Sequence, residues 1–213
     1  MFVKNKMTAN PFTISADQTI PDAHEIMMQY GVRRLPVMKK DKLVGIVSKD
    51  DILRASPSKA TTFSIGEITY LLAKTKIGQI MTKDPVTVTS GALLEEAAIL
   101  MRDNHVSILP VVDDGRLVGI ITESDIFDSF IELLGFREPG TRLTVEAEDA
   151  PGVMSAVTSI IGSYGANINH AAVYRGTHGK SAIVIGFNSL NTTEIEKSIE
   201  GHGYKILYKL QNK

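Results

Sequence analysis

Residues 7–55 lie over residues 81–129 at a constant offset of 74, without a gap, and sixteen of the aligned positions are identical. The identities include Met7/Met81, Thr8/Thr82, Pro11/Pro85, Leu35/Leu109, Pro36/Pro110, Val37/Val111, Gly45/Gly119 and Asp51/Asp125. Such a duplication constrains the fold more tightly than any local propensity, because both copies must build the same unit. Two copies are too few for a stacked solenoid, so they are expected to pack on one another as one pseudo-symmetric module with two equivalent clefts. At the centre of each copy stands an octapeptide, Gly45-Ile46-Val47-Ser48-Lys49-Asp50-Asp51-Ile52 and Gly119-Ile120-Ile121-Thr122-Glu123-Ser124-Asp125-Ile126. Each runs from an apolar strand through a hydroxyl residue, Ser48 or Thr122, into a helix with Asp51 or Asp125 in its first turn. A helix start presents unpaired N–H groups and partial positive charge, and a carboxylate accepts hydroxyl hydrogen bonds, so this arrangement suits a polar ligand. The local alternative is that Ser48 and Thr122 are plain N-caps.

Composition narrows the function classes. The chain of 213 residues is long enough for one or two cored domains. A net charge of −1 argues against nucleic acid as the main partner. Cysteine is absent, which removes disulfides, thiol nucleophiles and cysteine-ligated metals. No apolar run approaches the roughly 18 residues of a membrane span, and Met1–Lys6 do not lead into a secretory core. The expectation is a cytoplasmic protein without a membrane partner.

Along each copy the pattern predicts β-α-β-β-α. In the first, these are a brief strand at 13–15, a helix from the Thr19–Asp22 start to Gly31, strands at 35–38 and 43–47, and a helix over about 50–55. Ser56-Pro57-Ser58 breaks the chain, and Ile65, Ile68, Leu71 and Leu72 give the connector helical spacing. The second copy repeats the plan and ends in a longer helix closed by Gly135. From Thr141 the order changes to βαββαβ, a ferredoxin-like plan, so the expected divisions are 1–64, 65–138 and 139–213. The fold class is mixed α/β and α+β.

These residues carry a resemblance. Met-Thr-x-x-Pro at 7–11 and 81–85, Leu-Pro-Val at 35–37 and 109–111, and the two octapeptides resemble a pair of CBS domains. Asp149-x-Pro151-Gly152 and Gly165-Ala166-Asn167-Ile168 are similar to an ACT domain, and the combination resembles bacterial acetoin-utilisation regulatory proteins. The resemblance implies a non-catalytic regulatory sensor that binds adenosine nucleotides or related adenosyl ligands and signals to a protein partner. It also implies ACT domains that pair through their sheets and often bind amino acids there. Carried over, Ser48 and Thr122 would meet phosphate or ribose oxygens, and Asp51 and Asp125 would hold the ribose hydroxyls. Backbone at Val32, Ile46, Val106 and Ile120 would line adenine. In the ACT segment Asp149, Gly152 and Asn167 are the candidate contacts; there a simple strand-to-helix turn is the competing reading.

The two copies differ in charge. Residues 7–55 hold seven Lys/Arg against six Asp/Glu, whereas residues 81–129 hold three against nine. Arg33-Arg34 stand where the second copy has Ser107-Ile108. The expectation is therefore a phosphate-rich nucleotide in the cleft of Arg33, Arg34, Ser48 and Asp51, and a less charged ligand or none beside Ser107, Thr122 and Asp125. Asp50 would oppose phosphate unless an arginine or magnesium offsets it, and surface ion pairing of the arginines is the alternative. The Gly176–Ser181 stretch lacks the leading glycine of a phosphate loop and reads as a hairpin turn. His24, His105, His170, His178 and His202 show no metal-ligand spacing, and His105 at the edge of the second cleft reads as a helix-end residue. No nucleophile–base set appears, so no enzyme is expected. The reading is a homodimeric sensor acting by population shift, with the connector at 65–75 and the 135–140 boundary as transmission points. A dimerising scaffold with degenerate clefts and an amino-acid sensor are the alternatives.

Overall fold

The computed structural model describes residues 1–56, 64–176 and 179–213, arranged as two compact units, Met1–Ile126 and Phe127–Lys213. The Pro57-Ser58 breaker and Thr177-His178 of the expected hairpin tip lie outside the described residues.

In the first unit, copy one supplies β1 (Thr8–Ala9), β2 (Ile14–Ser15), α1 (Ile20–Tyr30), β3 (Arg34–Lys39), β4 (Lys42–Ser48) and α2 (Lys49–Ala55). The start of α1 is closed by Asp22, whose Oδ2 accepts from the Thr19 amide at 2.8 Å and from its hydroxyl at 2.8 Å. Gly31, at φ 66°, ends the helix in the left-handed conformation. Ile20, Ala23 and Met27 form its buried face. The connector contains α3 (Ile65–Lys74), capped by Ser64 and Glu67, and the short α4 (Ile77–Ile80). Copy two follows with β5 (Thr82–Lys83), α5 (Leu94–Asn104), β6 (Ile108–Asp113), β7 (Arg116–Thr122) and α6 (Glu123–Leu133). Its expected first strand is reduced to one parallel bridge, Val88 to Val111.

The copies exchange their leading segments. β1 pairs antiparallel with β7, Thr8 opposite Ile120, and β5 pairs with β4, Thr82 opposite Ile46. Fully buried Val3 belongs to the core of copy two, and its counterpart Ile77, equally buried, to the core of copy one. The repeated Met and Gly are two halves of one contact. A Cβ on Gly45 would fall 2.6 Å from Met81 Sδ, and one on Gly119 would fall 2.6 Å from Met7 Sδ. Glycine is required there because the other copy's leader crosses directly over the strand.

The second unit begins within α6, at Phe127, and continues into β8 (Gly140–Glu148), α7 (Val153–Ser163), β9 (Ile168–Arg175), β10 (Lys180–Phe187), α8 (Thr193–Gly201) and β11 (Lys205–Asn212). Its antiparallel sheet has the order β11-β8-β10-β9, the ferredoxin-like arrangement. Leu143, Val145, Ile183, Ile185 and Phe187 alternate inward against Val157, Ile160, Ile161, Ile195 and Ile199. The β9–β10 ladder and the Gly176 amide bonded to Lys180 O form the expected hairpin. The exit from α6 is fastened to this sheet. Asn212 Nδ2 donates to Phe136 O and Glu138 O, Arg142 Nη1 donates to Leu134 O, and His170 lies so close to Gly135 that a Cβ there would come within 2.1 Å of the imidazole.

Candidate ligand-binding cleft

Apolar β4 delivers Ser48 to the start of α2, and the octapeptide closes on itself. Asp51 Oδ2 accepts from the Ser48 amide at 2.8 Å and hydroxyl at 2.6 Å, and Ser48 Oγ accepts from the Asp51 amide at 3.2 Å. Arg54 Nη2 donates to the other carboxylate oxygen at 2.7 Å. Thr122 and Asp125 repeat the geometry, with the Thr122 amide and hydroxyl both 2.7 Å from Asp125 Oδ2. Ser48 and Thr122 are thus genuine N-caps, and the caps hold both aspartates in fixed orientations. Burial by itself would raise the Asp51 carboxyl, but the hydrogen bonds from Ser48 and the Arg54 guanidinium outweigh it, leaving its pKa below the ordinary value. Asp51 is therefore a carboxylate at neutral pH.

A cavity of about 340 Å³ opens over this cap. One wall comes from copy one: Arg34, Ile46, Ser48, Asp50, Asp51 and Arg54. The facing wall comes from copy two: Thr82, Asp84, Pro85 and Val86 on its leader, and His105 to Ile108 beyond α5. Of the expected contacts, Arg34, Ile46, Ser48, Asp51, Val106 and Ser107 meet here, whereas Val32 and Arg33 do not line the cavity. Arg33 therefore stands beside the start of α2 rather than in the lining of the cavity. Residue 33 offers its carbonyl to the Lys49 amide at 3.0 Å, and its counterpart Ser107 supplies the wall because the leader exchange faces each octapeptide with the other copy. His105, in a left-handed conformation at φ 53°, reaches this first cleft rather than the second. Neither Arg33 nor Arg34 forms an ion pair among the described residues.

Around Thr122, Asp125 and Ile120 the same exchange operates with the roles of the copies reversed. β1 lies on β7, and the Asn10 amide bonds to Val118 O. After the same leader, Phe12 stacks on Tyr30 with ring centroids 3.7 Å apart, at positions that are Val86 and Asn104 in copy two.

The ACT candidates are not gathered within one chain. Asp149 and Gly152 precede α7 and Asn167 follows it, about 16 Å away along an eleven-residue helix. Asp149 is paired with Arg175 at 3.2 Å, and Asn167 donates to Asn169 Oδ1 at 3.0 Å. Among the described residues no cluster of His, Cys, Asp and Glu is fit to hold a metal, and no helix is long and apolar enough to cross a membrane.

A duplicated βαββα module with a capped cleft, followed by a ferredoxin-like unit, defines a protein built from two kinds of small mixed α/β module. Comparison with known families gives the specific kind. The CBS domain model matches residues 3–58 and 77–132, more than half of the chain, and the ACT domain model matches residues 141–200. The chain belongs to the CBS-domain family, with tandem CBS domains followed by an ACT domain. It is similar to an acetoin utilization protein (AcuB) from Vibrio cholerae, with 34% identity, 65% of this chain and 96% of that one covered, and a TM-score of 0.53. The CBS domain pair of protein MJ0100, solved with 5′-methylthioadenosine and S-adenosyl-L-methionine, is 30% identical, covering 61% of this chain and 95% of that one at a TM-score of 0.51. CBSX2, solved with AMP, is 31% identical, covering 62% and 96% at a TM-score of 0.51. Inosine-5′-monophosphate dehydrogenase of Korarchaeum cryptofilum is 33% identical over 140 residues, 65% of this chain, but the match spans only 26% of that enzyme.

Proposed function

We propose that this chain is a non-catalytic regulatory sensor that binds an adenosyl ligand in the Ser48/Asp51 cleft and passes the occupancy to a protein partner. The observation that carries the reading is the 340 Å³ cavity, lined by a fixed Asp51 carboxylate together with apolar Ile46 on one wall and Val86 and Val106 on the other. A carboxylate held by its cap suits a pair of ribose hydroxyls, and the apolar wall suits a purine. The AMP, methylthioadenosine and S-adenosylmethionine held by similar CBS pairs support that class of ligand. Transmission would run through α6, one helix from the Thr122 cap to Leu133, whose exit loop is tied to the ferredoxin-like sheet.

The sensor works as a homodimer joined at β9. Of the two sheet edges, β11 is interrupted by a register shift at Leu207 and carries Lys205 and Lys209, features that discourage pairing. β9 has neither lysine nor proline and exposes Val173 and Tyr174. Isothermal titration with AMP, ADP, ATP, a diadenosine polyphosphate, methylthioadenosine and S-adenosylmethionine, with and without magnesium, tests the binding. At least one should bind, and Val106→Trp, which fills the cleft without touching the cap, should abolish binding while the thermal melt stays cooperative. A folded protein that binds none of them would replace this reading with the scaffold.

A further inference from the structure

The charges lining the Ser48/Asp51 cleft point to a ligand of opposite sign to the one its local sequence suggests. Two arginines and three aspartates border the cavity. Arg54 is spent on Asp51, at 2.7 Å. That leaves Arg34 facing two carboxylates, Asp50 and Asp84, neither of which meets a cation within 4 Å among the described residues. Arg33, the second cation counted towards phosphate binding, does not line the cavity, and Ser107 takes that place. The first turn of α2 is also poorly free to hold an anion. Its Lys49 amide is bonded to Arg33 O and its Asp51 amide to Ser48 Oγ. Asp84 is set on the facing wall by a left-handed backbone at φ 47°, immediately before Pro85. It comes from copy two, so neither octapeptide alone reveals it.

We infer that this cleft selects an adenosyl ligand whose 5′ side carries a cation, such as a sulfonium or amine, over a nucleoside phosphate. The inference rests on the adenosyl-site reading above and fixes the chemistry at the far end of the ligand. A phosphate chain placed beyond the ribose would meet two unneutralised carboxylates and one free guanidinium, whereas a cation there gains from both carboxylates. Arg34 remains available to a carboxylate on the same ligand, so a zwitterionic amino-acid tail fits better than a bare cation.

S-adenosylmethionine and S-adenosylhomocysteine differ in one methyl group and the sulfonium charge, which makes them the critical pair of probes, with neutral methylthioadenosine and anionic AMP as references. In titrations of the full-length protein, S-adenosylmethionine should bind roughly tenfold more tightly than S-adenosylhomocysteine, and AMP more weakly than methylthioadenosine. In Asp50→Asn/Asp84→Asn the first preference should collapse to about twofold or less and AMP should gain affinity. Asparagine tolerates the left-handed backbone of residue 84, so the variant should keep its fold. Equal affinity for S-adenosylmethionine and S-adenosylhomocysteine, or a preference that survives the double substitution, overturns the inference while leaving the adenosyl site standing. Failure of all four probes, methylthioadenosine included, overturns the site itself and the inference with it.

Discussion

At the residue scale the decisive group is Asp51, which serves the helix cap and faces the cleft at once. Ser48→Ala removes the hydroxyl that both accepts from the Asp51 amide and donates to its carboxylate, and should cost about 1 kcal/mol of stability in urea unfolding. Because the folded-state pKa of Asp51 is lowered, its ionised form stabilises the fold at pH values above the unfolded carboxylate value of about 3.9. That contribution is lost as the pH falls through the folded value. The stability difference between the native chain and Asp51→Asn should therefore be constant near neutrality and vanish in acid; a difference that grew on acidification would contradict the assignment. These caps were legible in the sequence because a capping box is local, a hydroxyl with a carboxylate three positions on. The partition of Arg33 and Arg34 was not. It depends on which copy supplies the facing wall, and adjacency in the chain gave no hint that only Arg34 lines the cleft.

At the element scale the constant offset of 74 made nearly every helix and strand of the module readable, since each assignment had to hold in both copies. What escaped was the exchange of leaders. β1 and β5 are two residues each, too short to carry an alternating pattern, and α4 spans four residues. The repeated Met and Gly were the available signal, and the contact between Met81 and Gly45 explains why both recur. Gly45→Ala should push the β5 leader off β4 and cost about 1–3 kcal/mol. Ile77→Ala, at the fully buried position that closes the core of copy one, should cost about 2–5 kcal/mol. Thermal melts that left either variant unchanged would mean that the leaders are dispensable covers.

At the scale of the whole molecule, the sequence placed the junction where the ferredoxin-like strands begin. The division between the two compact units falls inside α6, and the loop after Leu133 is held by His170, Arg142 and Asn212. Those partners lie far apart in sequence and meet only when the sheet forms. The proposed pairing at β9 predicts that Val173→Lys gives a monomer in light scattering, while a lysine at Leu207 on β11 leaves the dimer intact. The reverse outcome would move the interface to the other edge. The most direct measurement of the central claim is a crystal structure of the chain soaked with 5′-methylthioadenosine. The account predicts the purine between Ile46 and Val106 with the ribose hydroxyls on Asp51; a ligand bound elsewhere, or that cleft empty at saturating ligand, would contradict it.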